Sequence, residues 1–147
     1  MSKTDATTLR SEVSVVLAAN TARLTDGLQA ELARSKEPEM GRPLQFEVDL
    51  LYWDITCCAS EEPIMTGDWL DPALGGDWLE RAEEAGVEPE GMICEELCPW
   101  FANCWQSVGG PARFSPAYLF LHGYGDQQYD LERRCWVPEE VAFGERA

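Results

Sequence analysis

An α+β fold is predicted by three patterns in the sequence: an amphipathic stretch near the N-terminus, strand-like alternation in the middle, and a hairpin pattern near the C-terminus. We expect a small antiparallel sheet packed on one long helix. The length of 147 residues and the apolar fraction of 45% suit a single globular domain over residues 1–147, with the first few residues and the C-terminal tail flexible.

The N-terminal pattern covers residues 7–35. Leucine and valine recur there at steps of three and four, which is the spacing of one buried helix face. Asn20 interrupts this apolar stripe, and we expect its side chain to make a buried hydrogen bond or to lie at the edge of the stripe. Pro38 and Gly41 end the predicted helix.

The middle pattern predicts the central strand of the sheet at about residues 44–57. Leu44, Phe46 and Val48 alternate with polar residues, which is strand periodicity. From Leu50 onward both faces of the strand are apolar. A strand that is covered on one face at its start and on both faces later would give this change, and so would a bulge near Leu50.

The C-terminal pattern predicts a hairpin at about residues 117–137. Residues 117–122 form its first strand, the alternating residues 128–137 form its second, and a glycine-containing loop joins them. Ahead of the hairpin, residues 99–108 predict a short helix, with Pro99 in its first turn.

Residues 59–96 are predicted to form an irregular acidic segment of short helices. Proline and glycine are frequent here, and the stretch from Glu61 to Glu96 holds twelve acidic residues against a single base, Arg81. More than half of the net charge of −16 therefore belongs to about a quarter of the chain.

The tetrapeptide GDWL occurs twice in this segment, nine residues apart. An acidic residue stands three positions after each Asp, as in a capping box at a helix start. We expect the first helix to end after one turn at Pro72 and the second to continue to a stop at Gly86. Trp69 and Trp78 are then either core anchors or interface residues. Two short copies are too few for a tandem-repeat architecture.

The net charge arises from 27 acidic and 11 basic side chains. Such a field repels nucleic acid and anionic membranes and attracts basic proteins, so we expect no direct nucleic-acid or membrane binding. No apolar run is long enough to span a membrane, and the N-terminus has no apolar core of a signal peptide. The sequence therefore predicts a cytoplasmic protein.

The six cysteines are expected to be free, mostly buried thiols in a reducing compartment. The alternative is a zinc site on Cys94 and Cys98, which are spaced by one helical turn. Pro99 argues against it by disfavouring helical geometry at Cys98, and the spacing matches no common structural zinc pattern. The cysteines that could complete a zinc site with Cys94 and Cys98 are Cys57, Cys58, Cys104 and Cys135. On balance we predict no metal and no cofactor.

His122 is the only histidine, so a histidine-dependent nucleophile would have to use it. Asp126 is near enough in sequence to orient the imidazole. No nucleophile elbow, metalloprotease motif or phosphate-binding loop accompanies the pair, and we predict that the protein is not an enzyme.

The sequence predicts an acidic binding protein that neutralises a basic partner, such as an immunity protein or antitoxin against a cationic toxin or nuclease. In size, charge and lack of a catalytic motif the chain resembles barstar-like inhibitors, without sharing a sequence motif with them. The alternatives are a DNA mimic directed against restriction or other defence proteins, a small enzyme using His122 or a cysteine, and an adaptor whose acidity serves solubility. The predicted partner-binding residues are Glu61, Glu62, Asp68, Trp69, Asp71, Asp77, Trp78, Glu80, Glu83 and Glu84.

Overall fold

The computed structural model describes residues 6–34, 44–49, 53–57, 63–65, 77–113, 117–122 and 127–138. Within these ranges helices pack against one five-stranded sheet, which confirms the predicted α+β class. The elements are α1 (Ala6–Ala19), α2 (Thr21–Arg34), β1 (Leu44–Asp49), β2 (Ile55–Cys57), α3 (Trp78–Glu84), α4 (Pro89–Ser107), α5 (Gly110–Arg113), β3 (Ala117–His122), β4 (Gln128–Asp130) and β5 (Cys135–Val137).

The N-terminal amphipathic stretch forms two helices, α1 and α2, so the prediction of one long helix over residues 7–35 is wrong. The break falls at Asn20, whose Nδ2 donates to the Val16 carbonyl at 2.9 Å. Thr21 Oγ1 donates to the Leu17 carbonyl at 3.3 Å. Such side-chain bonds to the preceding turn compete with the backbone ladder. The apolar stripe is nevertheless buried throughout, at Leu9, Val13, Val16, Leu17, Leu24, Leu28 and Leu32.

The predicted central strand over residues 44–57 is a hairpin of β1 and β2. The two strands pair antiparallel, with Phe46 opposite Cys57 and Val48 opposite Ile55. The chain reverses before Trp53, which has a φ of 62° and donates its N–H to the Asp49 carbonyl at 2.5 Å. Ile55, one of the apolar residues that follow Leu50, therefore belongs to a returning strand, and neither reading of a single strand is correct.

The strand order is β2-β1-β3-β4-β5, and the pair β1–β3 is parallel while the other neighbours are antiparallel. The sheet is therefore mixed, which corrects the antiparallel sheet predicted from the sequence. A parallel pair needs a long crossover connection, and the chain between β2 and β3, which includes α3 and α4, supplies it.

The C-terminal hairpin has the predicted first strand, β3, but its second strand is divided. Residues 128–137 form β4 and β5, which are joined by a four-residue turn over residues 131–134. Asp130 Oδ1 accepts the backbone N–H of Glu132 and of Arg133, each at 2.9 Å. This carboxylate satisfies the donors of the turn and allows the chain to reverse where the alternating pattern predicts an uninterrupted strand.

Helix α4 covers one face of the sheet and forms the centre of the core. The Phe46 ring of β1 lies 5.1 Å from the rings of both Phe101 and Trp105. The N-terminal helices pack on the same helix, where the Trp100 indole N–H donates to Thr21 Oγ1 at 3.0 Å.

The helix predicted over residues 99–108 is the C-terminal half of α4, and Pro99 lies in its interior rather than in its first turn. An interior proline removes one backbone donor and costs about 3 kcal/mol in a helix. The helix continues because both sides of Pro99 contribute buried residues, among them Leu97 and Phe101. Pro89, at the true start, has the favoured first position.

Candidate protein-binding face

Helix α3 is the structure formed by the second GDWL copy, and it ends at Gly86 as the sequence predicts. Gly86 has a φ of 74° and donates its N–H to the Glu83 carbonyl at 3.1 Å. The next N–H, of Val87, donates to the Ala82 carbonyl at 2.9 Å. This pair of bonds is a Schellman motif, which closes the helix and returns the chain toward the core. The first GDWL copy lies outside the described residues.

The start of α3 differs from the predicted capping box. The Asp77 side chain makes no hydrogen bond to the first turn. Its Oδ1 instead lies 3.4 Å from Arg81 Nε, one helical turn further on. The carboxylate therefore forms an i,i+4 ion pair and leaves the first-turn donors uncapped by this side chain.

Trp78 belongs to the core and is not an interface residue. It is 1% exposed, and its indole N–H donates to the Leu9 carbonyl of α1 at 3.4 Å. A side chain buried to this degree has no area left for a partner, so Trp78 is removed from the predicted partner-binding set. Of the two readings of this tryptophan, the core anchor is the one observed.

The opposite side of α3 carries the exposed carboxylates of Glu80, Glu83 and Glu84. Their i, i+3, i+4 spacing places them on one helix surface. Leu79 lies beside them with 55% of its surface exposed. We call these four residues the acidic face. Within the described part of the chain, none of its three carboxylates has an ion-pair partner.

Two further exposed carboxylates, Glu88 and Glu90, follow directly at the start of α4. The Glu88 side chain accepts the backbone N–H of Gly91 and so caps α4. Both residues add negative charge next to the acidic face, where the free N–H groups of the helix start favour it. The residues predicted from the sequence to bind a partner do not include Glu88, Glu90 or Leu79. The exposure of Leu79 was predictable, because it lies next to Glu80 and one helical turn before Glu83.

Several carboxylates outside the acidic face are paired with arginines from the same molecule. Arg10 of α1 contacts Glu95 at 3.0 Å and Glu96 at 2.9 Å, and these bonds raise the pKa of the guanidinium above its ordinary value. Arg81 contacts Glu12 at 2.8 Å, and this bond raises its pKa in the same way. Both sets of ion pairs involve α1. The carboxylates in them are neutralised within the fold, unlike those of the acidic face.

The predicted partner-binding residues thus fall into three groups. Glu80, Glu83 and Glu84 lie together on the acidic face, while Asp77 is exposed but paired with Arg81. Trp78 is buried. The residues that lie outside the described part of the chain are Glu61, Glu62, Asp68, Trp69 and Asp71.

The described cysteines are free thiols, and all of them except Cys135 are buried. Cys94 and Cys98 lie one turn apart within α4, so the expectation that Pro99 would prevent this geometry is wrong. Burial raises the pKa of Cys94 to about 12, with nearby Glu90 and Glu88 adding to the shift. Burial also raises the pKa of Cys104 to about 11. A thiol with a raised pKa is mostly protonated at neutral pH and is therefore a poor nucleophile.

Among the residues that the structure describes, no group of three or more His, Cys, Asp or Glu side chains is arranged to hold a metal ion. Cys58 lies outside the described ranges.

His122 is exposed at the end of β3, where its ring lies 5.9 Å from that of Phe120. Within the described ranges, no hydrogen bond joins it to a thiol or a carboxylate. Asp126, the residue expected to orient the imidazole, lies outside those ranges. The described geometry around His122 therefore offers no assembled nucleophile and base.

None of the described helices combines the length and the apolar character that crossing a membrane would need. Comparison with known proteins finds no matching family model, no similar curated protein and no similar solved structure.

Proposed function

We propose that the protein binds and neutralises a basic protein, such as a cationic toxin or nuclease, through the acidic face on α3. The observation that carries the proposal is the contrast between neighbouring carboxylates. Glu95 and Glu96 are paired with Arg10, whereas Glu80, Glu83 and Glu84 are exposed without an ion pair among the described residues.

Unpaired carboxylates make the local electrostatic potential more negative and accelerate the approach of a cationic partner. The exposed Leu79 lies beside these carboxylates and offers an apolar contact to a partner. The acidic face can therefore supply both parts of a protein interface, namely charge for steering and apolar area for contact.

A DNA mimic is the alternative use of the same charges. Such a protein needs carboxylates spread along a length of several base pairs, at a charge spacing of about 1.7 Å along the axis. The free carboxylates of α3 instead lie within one helix of seven residues, which spans about 10 Å. This compact arrangement supports an inhibitor of a basic site over a mimic of extended DNA.

The experiment compares two charge-reversed variants with the same change in net charge. E83K/E84K reverses the acidic face, whereas D26K/E132K reverses exposed, unpaired carboxylates on α2 and on the β4–β5 turn. The probe is a fluorescent oligo-arginine peptide, with binding followed by anisotropy at low and physiological ionic strength.

We expect E83K/E84K to weaken binding about tenfold at low ionic strength, because two attractions become two repulsions. D26K/E132K should change the affinity by less than about twofold, since those side chains belong to α2 and to the β4–β5 turn and not to the acidic face. Equal weakening by the two variants would show that the peptide responds only to net charge, and the proposal would then be wrong.

A further inference from the structure

Arg81 is the only base between residues 61 and 96, and it lies on the same short helix as the acidic face. Its guanidinium is nevertheless directed to α1. Nη1 lies 2.8 Å from Glu12 Oε2, and Nη2 lies 2.8 Å from Glu12 Oε1. This is a two-bond, fork-shaped contact between an arginine and a carboxylate.

A contact of this kind holds the guanidinium in one orientation. The Arg81 side chain is 24% exposed and that of Glu12 is 35% exposed, so water and salt screen the pair less than they screen a surface pair. Asp77, at 3.4 Å from Nε, adds a third attraction on the same side.

The alternative partner of Arg81 is on the acidic face itself. Glu84 stands three residues later, at a spacing that allows ion pairs along a helix. An Arg81 released from Glu12 could pair with Glu84 and cancel one of the charges that a basic partner would use. Glu12 also has no other base among its described ion-pair partners.

We propose that Glu12 is a positioning residue, which holds Arg81 on the α1 side of α3 and so leaves the acidic face fully charged for the partner. This inference rests on the proposed function, because it concerns the strength of the same site. It assigns to α1 a role in partner binding without any contact between Glu12 and the partner.

The test is a double-mutant cycle with E12Q and R81M, using the fluorescent oligo-arginine peptide at low ionic strength. Removing Arg81 deletes a positive charge and tightens binding in any background. We expect R81M to tighten binding about threefold more in the E12Q background than in the wild type, because only there, held by Asp77 alone, can Arg81 reach Glu84 on the acidic face. The same factor in both backgrounds would overturn the inference.

Further variants separate this effect from simpler ones. E132Q carries the same charge change as E12Q at an exposed, unpaired site, and it should show no coupling to R81M. Adding E84Q should abolish the coupling, because it removes the site that Arg81 would occupy. Coupling that persists with E84Q would also contradict the inference. Circular dichroism confirms folding, and R81Q replaces R81M if the methionine variant does not fold.

The two proposals fail separately. If E83K/E84K weakens peptide binding but the double-mutant cycle is additive, the acidic face is supported as the binding site and the positioning role of Glu12 is contradicted. If E83K/E84K and D26K/E132K change the peptide affinity equally, the acidic face is not the binding site and the proposed function is contradicted.

Discussion

Gly109 and Gly110 are neighbours, but the fold needs them for different reasons. A Cβ built at Gly110 would lie 2.2 Å from Cδ2 of Trp105 and 2.3 Å from its Cε2. The indole is 1% exposed and packs edge-on against Phe46, so it has no space to retreat. Gly109 has a φ of 77° and nothing within 4 Å of the corresponding position. Space is therefore critical at Gly110, and backbone conformation is critical at Gly109.

We expect G110A to lower the free energy of unfolding by about 2–3 kcal/mol, because the added methyl group displaces a buried ring. G109A should cost about 1 kcal/mol, which is the strain of a left-handed conformation in a residue with a Cβ. Urea unfolding of the two variants measures the difference. A loss from G110A no larger than that from G109A would show that Trp105 can move.

At the scale of elements, the two hairpins share one loop design. In each, the fourth residue after a strand-end Asp, Trp53 or Arg134, has a φ near 60°. Its N–H donates to the carbonyl of an Asp that precedes the loop, Asp49 at 2.5 Å and Asp130 at 2.8 Å.

This conformation explains why the sequence pattern predicts neither the turn between β1 and β2 nor the turn between β4 and β5. A left-handed residue in a turn is usually glycine or asparagine, and here it is tryptophan or arginine. The apolar and polar residues also continue to alternate through the second loop. Alternation therefore indicated extended chain at the start of β1 and across β4 and β5, but it gave no sign of where the chain turned.

The Asp130 carboxylate is the polar centre of the second loop, since it is 5% exposed and accepts two backbone N–H groups. We expect D130A to lower the free energy of unfolding by about 2 kcal/mol, because two donors lose their acceptor in a buried setting. D130N keeps one oxygen and should cost about 1 kcal/mol.

The control for this loop is E132A, at an exposed position in the same turn, which should change stability by less than about 0.5 kcal/mol. Thermal unfolding monitored by circular dichroism compares the three variants. Equal stability of D130A and E132A would mean that water replaces the carboxylate.

Only part of the acidic face could be predicted from the sequence, because local spacing does not reveal long-range contacts. The polar face of α3 follows from the helical spacing of Glu80, Glu83 and Glu84, and its end follows from Gly86. The orientation of Trp78 does not, because the carbonyl that receives its indole N–H belongs to Leu9, nearly seventy residues away. Local spacing fixes which residues share a face, whereas long-range contacts decide which face is buried.

At the scale of the whole molecule, the net charge of −16 opposes compactness. The described ion pairs offset only a few of the 27 carboxylates. We expect sodium chloride to raise the free energy of unfolding by an amount on the order of 1 kcal/mol between low and about 0.5 M ionic strength, because screening weakens the repulsion.

Urea unfolding across a salt series measures this effect, since urea is uncharged. E83K/E84K lowers the net negative charge and should flatten the dependence on salt. A fall in stability with added salt would show that attractive pairs such as Arg10 with Glu96 outweigh the general repulsion.

The parallel pairing of β1 with β3 also has a consequence for the connectivity of the sheet. The β1–β2 hairpin and the β3–β4–β5 meander each join strands that are close along the chain, whereas Leu44 and Ala117 are paired across about seventy residues. Closing a loop of that length has an entropy cost of roughly 4 kcal/mol, and the β1–β3 pairing is the step at which this cost arises. Six residue pairs across it, supported by the packing of α4 on Phe46, must offset that cost before the two halves become one sheet.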